Sequence, residues 1–281
     1  VLPAQYSESR KDGRATSIMC LAVRARMLLF AASPLVNGNP DYAKFTNKQG
    51  ENLFSTTYDA TRWKKAADAC KELIDAAEAA GYKLYVERNA DGSVDPYMSL
   101  QNMMLTRFDE GNTEILFARP GGNDYTEYEK HCTPANSGGS GGWGVTQSLV
   151  DAFFTANGLP IDDPDSGYVE EGFSESNTIA NNSIWDEEVN GGAITYAGTY
   201  NMYCNREPRF YVTVSFNNSY FTQEKRLFQF FNGGRDNIHT HDAPQNGYLI
   251  RKKISPKSNA KEGNFTYRPG IVYRLGEAYL N

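Results

Sequence analysis

Two textures alternate along the chain. Near the N-terminus apolar residues recur at spacings of three and four; further on, polar stretches rich in Gly, Asn and Asp separate short apolar runs. Ile18, Leu21, Ala22, Ala25, Leu28, Leu29 and Ala32 form one such stripe and predict an alanine-rich helix over Ser17 to Ala32. Ser33-Pro34 stops it, because the residue before a proline disfavours helical backbone. After a polar loop from about Leu35 to Thr57, Asp59 or Thr61 can cap a second helix with the inner stripe Trp63, Ala66, Ala67, Cys70, Ile74 and Ala77. Gly81 is placed to end it in a left-handed turn. Cys20 and Cys70 fall on the apolar faces of these helices and read as small core residues, and Trp63 reads as packing. Two alanine-striped helices joined by a loop can pair closely, the logic of a tetratricopeptide unit.

The middle of the chain reads differently. Pro96 to Phe108 predicts a short helix and Glu114 to Ala118 a buried strand. Thr146 to Ala156 predicts a short amphipathic helix using Leu149, Val150, Phe153 and Phe154. Asp162 to Thr199 reads as mostly loop. Phe210 to Phe216 alternates like a strand, Tyr248 to Ile254 reads as another, and the stretch from Tyr273 opens a further helix. The expected architecture is mainly α: tetratricopeptide-like helical pairs with a loop-rich lobe containing a few short strands. Its expected divisions are a helical part over residues 1–120, the lobe over 121–255, and the start of another helical part over 256–281.

Composition narrows the function. The net charge is −6, with acids and bases interspersed over the chain as a whole, which argues against nucleic acid as a partner. No apolar run is long enough to span a bilayer. The four cysteines include no C-x-x-C pair, so a zinc or iron–sulfur site is not expected. His239-x-His241 offers two imidazoles without a third ligand at supporting spacing. Asp163-x-Asp165 begins like a calcium loop, but Gly167 comes one place early and Ser174 stands where the loop needs Glu. No G-x-S-x-G, H-E-x-x-H or P-loop motif occurs. The expectation is no enzyme, no metal and no cofactor.

Aromatic content points elsewhere. The chain has 18 Tyr, 15 Phe and 3 Trp, and many of the tyrosines lie in Gly/Asn/Asp-rich stretches outside the periodic segments. A sugar ring suits such side chains, since its C–H face packs on an aromatic plane while its hydroxyls need polar neighbours. Trp143 in Gly-Gly-Ser-Gly-Gly-Trp-Gly and Trp185 in Asn-Asn-Ser-Ile-Trp-Asp have no periodic neighbours to bury them. Tyr125, Tyr128, Tyr196 and Tyr200 join them as candidate stacking residues, and Arg226, Arg235 and Asn237 as candidate donors to sugar hydroxyls. Packing inside a loop-rich fold is the alternative for each. A protein- or peptide-binding helical-repeat scaffold also fits this composition, and a glycoside hydrolase would need two carboxylates across a cleft, at a separation that the sequence leaves open.

Several stretches, in order, resemble the SusD/RagB family. They are Gly13-Arg14-Ala15-Thr16 with Ala25-Arg26 and Ala31-Ala32-Ser33-Pro34-Leu35; Trp63-Lys-Lys-Ala66-Ala67 with Gly81-Tyr82-Lys83-Leu84; and Asn112-Thr113-Glu114-Ile115-Leu116-Phe117. Thr146-Gln147-Ser148-Leu149-Val150-Asp151 with Asn157-Gly158-Leu159-Pro160-Ile161 follows, then Asn205-Arg206-Glu207-Pro208-Arg209-Phe210-Tyr211 and Arg274-Leu275-Gly276-Glu277-Ala278-Tyr279. Val145 departs from the pattern, since the family often has Pro there. The resemblance implies a lipid-anchored protein of the Bacteroidetes outer-membrane surface. Such a protein sits on a SusC-like TonB-dependent transporter and hands it oligosaccharides or polysaccharides without chemical change. It also admits a peptide ligand, and it implies that N- and C-terminal regions of the full protein, including the lipidated Cys, lie outside this chain. Arg206 and Arg209, within one of these stretches, are expected to tie a turn through carbonyls and ion pairs.

Overall fold

The computed structural model describes residues 2–6, 13–120, 124–180, 192–237 and 242–281. Its α-helices among these are α1 Ser17–Ala32, α2 Thr61–Ala79, α3 Pro96–Leu105, α4 Asp124–His131, α5 Gln147–Ala152, α6 Pro208–Thr213 and α7 Leu275–Leu280. The chain divides into two compact units: residues 1–85, 107–121 and 269–281, and residues 86–106 and 122–268.

In the first unit α1 and α2 pack on each other through small side chains. Thr16 caps α1, its Oγ1 accepting from the Met19 N–H at 3.0 Å, and Ser33 closes it ahead of Pro34. Ile18, Ala22 and Ala25 meet Ala69, Cys70, Leu73 and Ala77 in one core that also takes Tyr82, Leu116, Tyr273, Leu275 and Ala278. Asp59 accepts from the Thr61 N–H and hydroxyl just ahead of α2, and Gly81 adopts φ +92° after it. The strand Ile115–Arg119 pairs antiparallel with Gly270–Arg274, which runs directly into α7. Polar stitching ties these elements: Arg26 grips Glu277 with Nε at 2.9 Å and Nη2 at 2.7 Å, and buried Glu114 accepts from Arg274 and from the Tyr85 N–H.

In two respects α1 and α2 depart from the expected stripes. Trp63 is 42% exposed and Ala67 is exposed, whereas Ala69 and Leu73 are buried, so the inner face of α2 is turned away from the first and onto the second pair. Alanine contributes so little apolar area that a stripe of alanines leaves the helix register loosely specified. Trp63 instead donates its Nε1–H to the Tyr58 hydroxyl at 3.1 Å. Cys20 is exposed rather than part of the core, while Cys70 is buried, and all four cysteines are free thiols.

The second unit packs around an aromatic core of Phe210, Tyr211, Phe216, Tyr220 and Tyr248 with Val145, Val150 and Ile194. Its strands are short antiparallel pairs: Glu87–Arg88 with Val94–Asp95, Thr178–Ile179 with Ala193–Thr195, Val214–Ser215 with Leu249–Ile250, and Tyr220–Phe221 with Arg226–Leu227. The expected strand over Phe210 to Phe216 is instead the helix α6 followed by a two-residue strand. Pro208 at its first position presets the helical φ, and Phe210, Tyr211 and Val212 are all buried, so alternation carried no facing information there. The helix α5 is also shorter than expected; Leu149 and Phe154 remain exposed. Two short strands interrupt the stretch over 162–199 that reads as loop.

Arg206 holds this core together. It is 1% exposed, and its guanidinium donates to the carbonyls of Met202, Val150 and Phe153 at 2.9, 2.6 and 2.7 Å, between the rings of Tyr168 and Phe210. Arg209 pairs with Glu207. Both arginines therefore tie the turn, as their sequence context predicts.

Candidate functional site

The surface around Trp143 is built by a loop folded back onto the end of α4. The backbone N–H of Ser140 bonds the Lys130 carbonyl at 2.9 Å, that of Gly141 the Thr133 carbonyl at 2.9 Å, and that of Trp143 the His131 carbonyl at 3.1 Å. The Trp143 carbonyl in turn accepts from the Ile250 N–H at 3.0 Å. Such contact needs residues without side chains. A Cβ at Gly139 would lie 2.0 Å from the Thr133 carbonyl oxygen, and one at Gly144 would lie 2.5 Å from Asn246 Oδ1 and 2.8 Å from the Tyr248 carbonyl oxygen. The glycine-rich sequence is thus a tightly docked strap.

That strap lays the Trp143 indole on His131, with ring centres 4.9 Å apart and planes 14° from parallel. Tyr128 meets the same indole at 5.6 Å and 77°, and its hydroxyl donates to the Lys252 carbonyl at 2.6 Å. The imidazole is fixed in turn, His131 Nδ1 lying 2.7 Å from Ser140 Oγ. Trp143 nevertheless stays 43% exposed. A rigid aromatic surface therefore faces water, which is what a pyranose ring needs for stacking.

The titratable groups behind it are shifted by burial. Burial pushes the Cys132 thiol up to about 12, with Glu129 adding to the effect, so it stays protonated. Burial also raises the Tyr128 phenol, and it raises Glu129 against the pull of Arg268, whose Nη1 donates to Glu129 Oε1 at 2.5 Å. No group of three or more His, Cys, Asp or Glu that could hold a metal occurs among the described residues, and no helix among them is long and apolar enough to cross a membrane.

The remaining candidates are dispersed. Tyr125 meets Tyr267 edge-on at 5.6 Å, with the Arg268 guanidinium 5.9 Å from its ring centre. The Tyr196 hydroxyl is buried. Tyr200 lies edge-on between exposed Phe173 and Tyr203, and Tyr203 stacks on Phe216 and donates to the Tyr248 hydroxyl at 3.1 Å. Arg226 is spent inside the scaffold: it grips Asp236 with both Nη atoms at 2.7 Å and donates from Nε to Glu224 at 2.7 Å and from Nη2 to Ser137. Arg235 also reaches Glu224, at 2.9 Å, and Asn237 makes a long contact to the Phe231 carbonyl. Trp185, His239 and His241 lie outside the described residues. Of the candidates, then, Trp143 and Tyr128 come together. His131 joins that pair, and Phe173 stands exposed against Tyr200, although nothing in their local sequence marks either.

The folded chain with such a surface belongs to a class already defined by sequence and by structure. The model of the SusD family matches residues 103–281, and the chain belongs to that family. The solved structure of BT4246 superposes with a TM-score of 0.75 at 26% identity, covering 100% of this chain and 52% of that one. A SusD-like protein (BF3747) from Bacteroides fragilis NCTC 9343 gives a TM-score of 0.54 at 21% identity, covering 99% of this chain and 44% of its own. A SusD-like carbohydrate binding protein (BF0978) from the same organism gives 0.57 at 16%, covering 99% and 41%. At the identities of these last two the likeness establishes the fold alone. The chain spans about half the length of the solved structures it matches. No curated protein sequence matches it.

Proposed function

We propose that this chain forms part of a cell-surface protein that captures oligosaccharides without transforming them and passes them to a SusC-like TonB-dependent transporter in the outer membrane. The observation that carries the reading is Trp143, held open to water by a docked strap, stacked on His131 and braced by Tyr128. Family membership supports it, as does the carbohydrate binding named for the BF0978 protein. Tyr125, Tyr196, Tyr200, Arg235 and Asn237 are second-rank candidates, and Arg226 serves by bracing the turn that carries Arg235. In this reading α1 and α2 form a tetratricopeptide-like pair, α7 begins another, and the membrane is met only through a lipid anchor outside the chain.

Calorimetric titration with a panel of neutral and charged oligosaccharides tests the capture step. Binding that Trp143→Ala weakens supports it; release of free sugar over hours would replace it with a hydrolase. A protein- or peptide-binding scaffold is the second reading, favoured by Val23, Met27 and Phe30, which leave one exposed apolar line at helical spacing on α1. That reading gains if no saccharide binds.

A further inference from the structure

The interspersion of acids and bases over the chain has one long interruption. From Cys132 to Asn205 there are ten Asp and Glu and no Lys, Arg or His, so the remainder carries a net positive charge against the overall −6. Within that stretch Phe173 is 66% exposed, more than any other aromatic side chain among the described residues. Its ring is not a loose surface side chain. The backbone at Phe173 bridges Tyr200, the rings meet edge-on at 5.5 Å, Ser174 donates to the Thr199 carbonyl at 2.8 Å, and Asn201 donates to the Gly172 carbonyl at 3.0 Å. Tyr200 leads through Tyr203 to Phe216 in the core. An apolar ring is therefore anchored in a water-facing position.

Glu170, Glu171 and Glu175 stand within three residues of Phe173, all exposed, and none forms an ion pair among the described residues. An exposed aromatic ring with unpaired carboxylates two and three residues away along the chain complements a ligand that is flat, apolar on one side and cationic. A neutral pyranose uses only the ring, a uronate is repelled, and a lysine side chain lacks the flat C–H face. We infer that the Phe173–Tyr200 surface is a subsite for a protonated amino sugar, a 2-amino-2-deoxy pyranose whose ring lies on Phe173 while its ammonium faces the glutamates. The inference rests on the glycan-capture reading and adds the ligand class to it.

The test titrates the intact chain at low ionic strength and mildly acidic pH with three probes: a glucosamine tetramer, its fully N-acetylated counterpart and tetralysine. The glucosamine tetramer is expected to bind about ten-fold more tightly than the acetylated one, and the preference is expected to vanish at about 1 M salt, where the screening length is about 3 Å. Phe173→Leu, which keeps an apolar contact to Tyr200, is expected to weaken the glucosamine tetramer several-fold. Glu170→Gln with Glu171→Gln and Glu175→Gln is expected to abolish the preference and leave the acetylated oligomer unaffected. Equal binding of the two tetramers overturns the assignment, as does tetralysine binding as tightly as glucosamine with no effect of Phe173→Leu. If neutral sugars still bind in a Trp143-dependent way in either case, capture itself stands. If no saccharide binds, capture and its amino-sugar refinement both fall.

Discussion

Replacing Arg206 by Leu removes a cation that forms no salt bridge among the described residues, with Asp151 and Glu207 acting on it only at longer range. The guanidinium donates to three backbone carbonyls, two at the end of α5 and one in the turn over Asn201–Tyr203, and lies 5.0 Å from the Phe210 ring centre and 5.5 Å from that of Tyr168. Burial lowers its pKa, opposed by Tyr168 and Tyr211, but an arginine so placed keeps its proton. Leu cannot donate, and each carbonyl left unpaired in the interior costs about 1–3 kcal/mol. Three such groups would lose roughly 3–9 kcal/mol, from which the relieved desolvation of the cation returns several. With that return taken as about 2–4 kcal/mol, the expected net loss is about 1–5 kcal/mol. Urea unfolding followed by Trp fluorescence measures it as a fall in midpoint at unchanged slope. Arg206→Lys should recover part of the loss, since an ammonium can reach some but not all three carbonyls in fork geometry. A loss for Arg206→Leu below about 1 kcal/mol would refute the argument, because it would mean that water satisfies those carbonyls without help.

Three further outcomes follow from the same geometry. Trp143→Ala should weaken oligosaccharide binding about five- to ten-fold in calorimetry, the loss of one stacked ring worth on the order of 1 kcal/mol beyond its area, with far-UV CD unchanged. Gly139→Ala places a Cβ 2.0 Å from the Thr133 carbonyl oxygen, so the strap must shift; thermal unfolding should report a loss of about 1–3 kcal/mol and glycan affinity should fall with it. Burial alone would raise the Glu224 carboxyl, but hydrogen bonds from Arg226 and the nearby charges of Arg226 and Arg235 win and hold it below its ordinary value. A lowered folded-state value means that its contribution is complete above the ordinary value of 4.5 and is lost as pH falls through the lowered one. Acid titration of stability should therefore show a loss below about pH 4.5 that is smaller in Glu224→Gln.

Much of the first unit is legible in the sequence because its signals are local. Thr16 and Ser33-Pro34 bound α1, Gly81 ends α2 in the left-handed region, and the apolar run at Ile115 is a paired strand. The facing of α2 is not legible, since Ala66, Ala67 and Ala69 offer nearly equal apolar area and only the partner helix decides which are covered. The aromatic surfaces fail for another reason. Whether a ring is exposed depends on what folds over it: Trp143 and the buried Tyr196 hydroxyl sit in equally polar sequence, yet one belongs to a strap laid against α4 and the other to a turn closed over by Thr199. His131 precedes Trp143 by a long loop, so no periodicity links them, and the nine residues between Arg226 and Asp236 likewise hide the ion pair that engages Arg226.

On the capture reading proposed above, the same contrast bears on how the strap would present a ligand surface. A tryptophan on a flexible glycine loop would lose conformational freedom on binding and return little of its stacking energy as affinity. Here every glycine contact that forbids a side chain also removes a way for the loop to move, and the hydrogen bonds from Ser140, Gly141 and Trp143 to the end of α4 are made before any ligand arrives. The indole is already flat against His131, so the entropy of ordering is met by folding and not by binding. Weak stacking forces can then suffice for capture, and a sugar held by them alone remains free to leave.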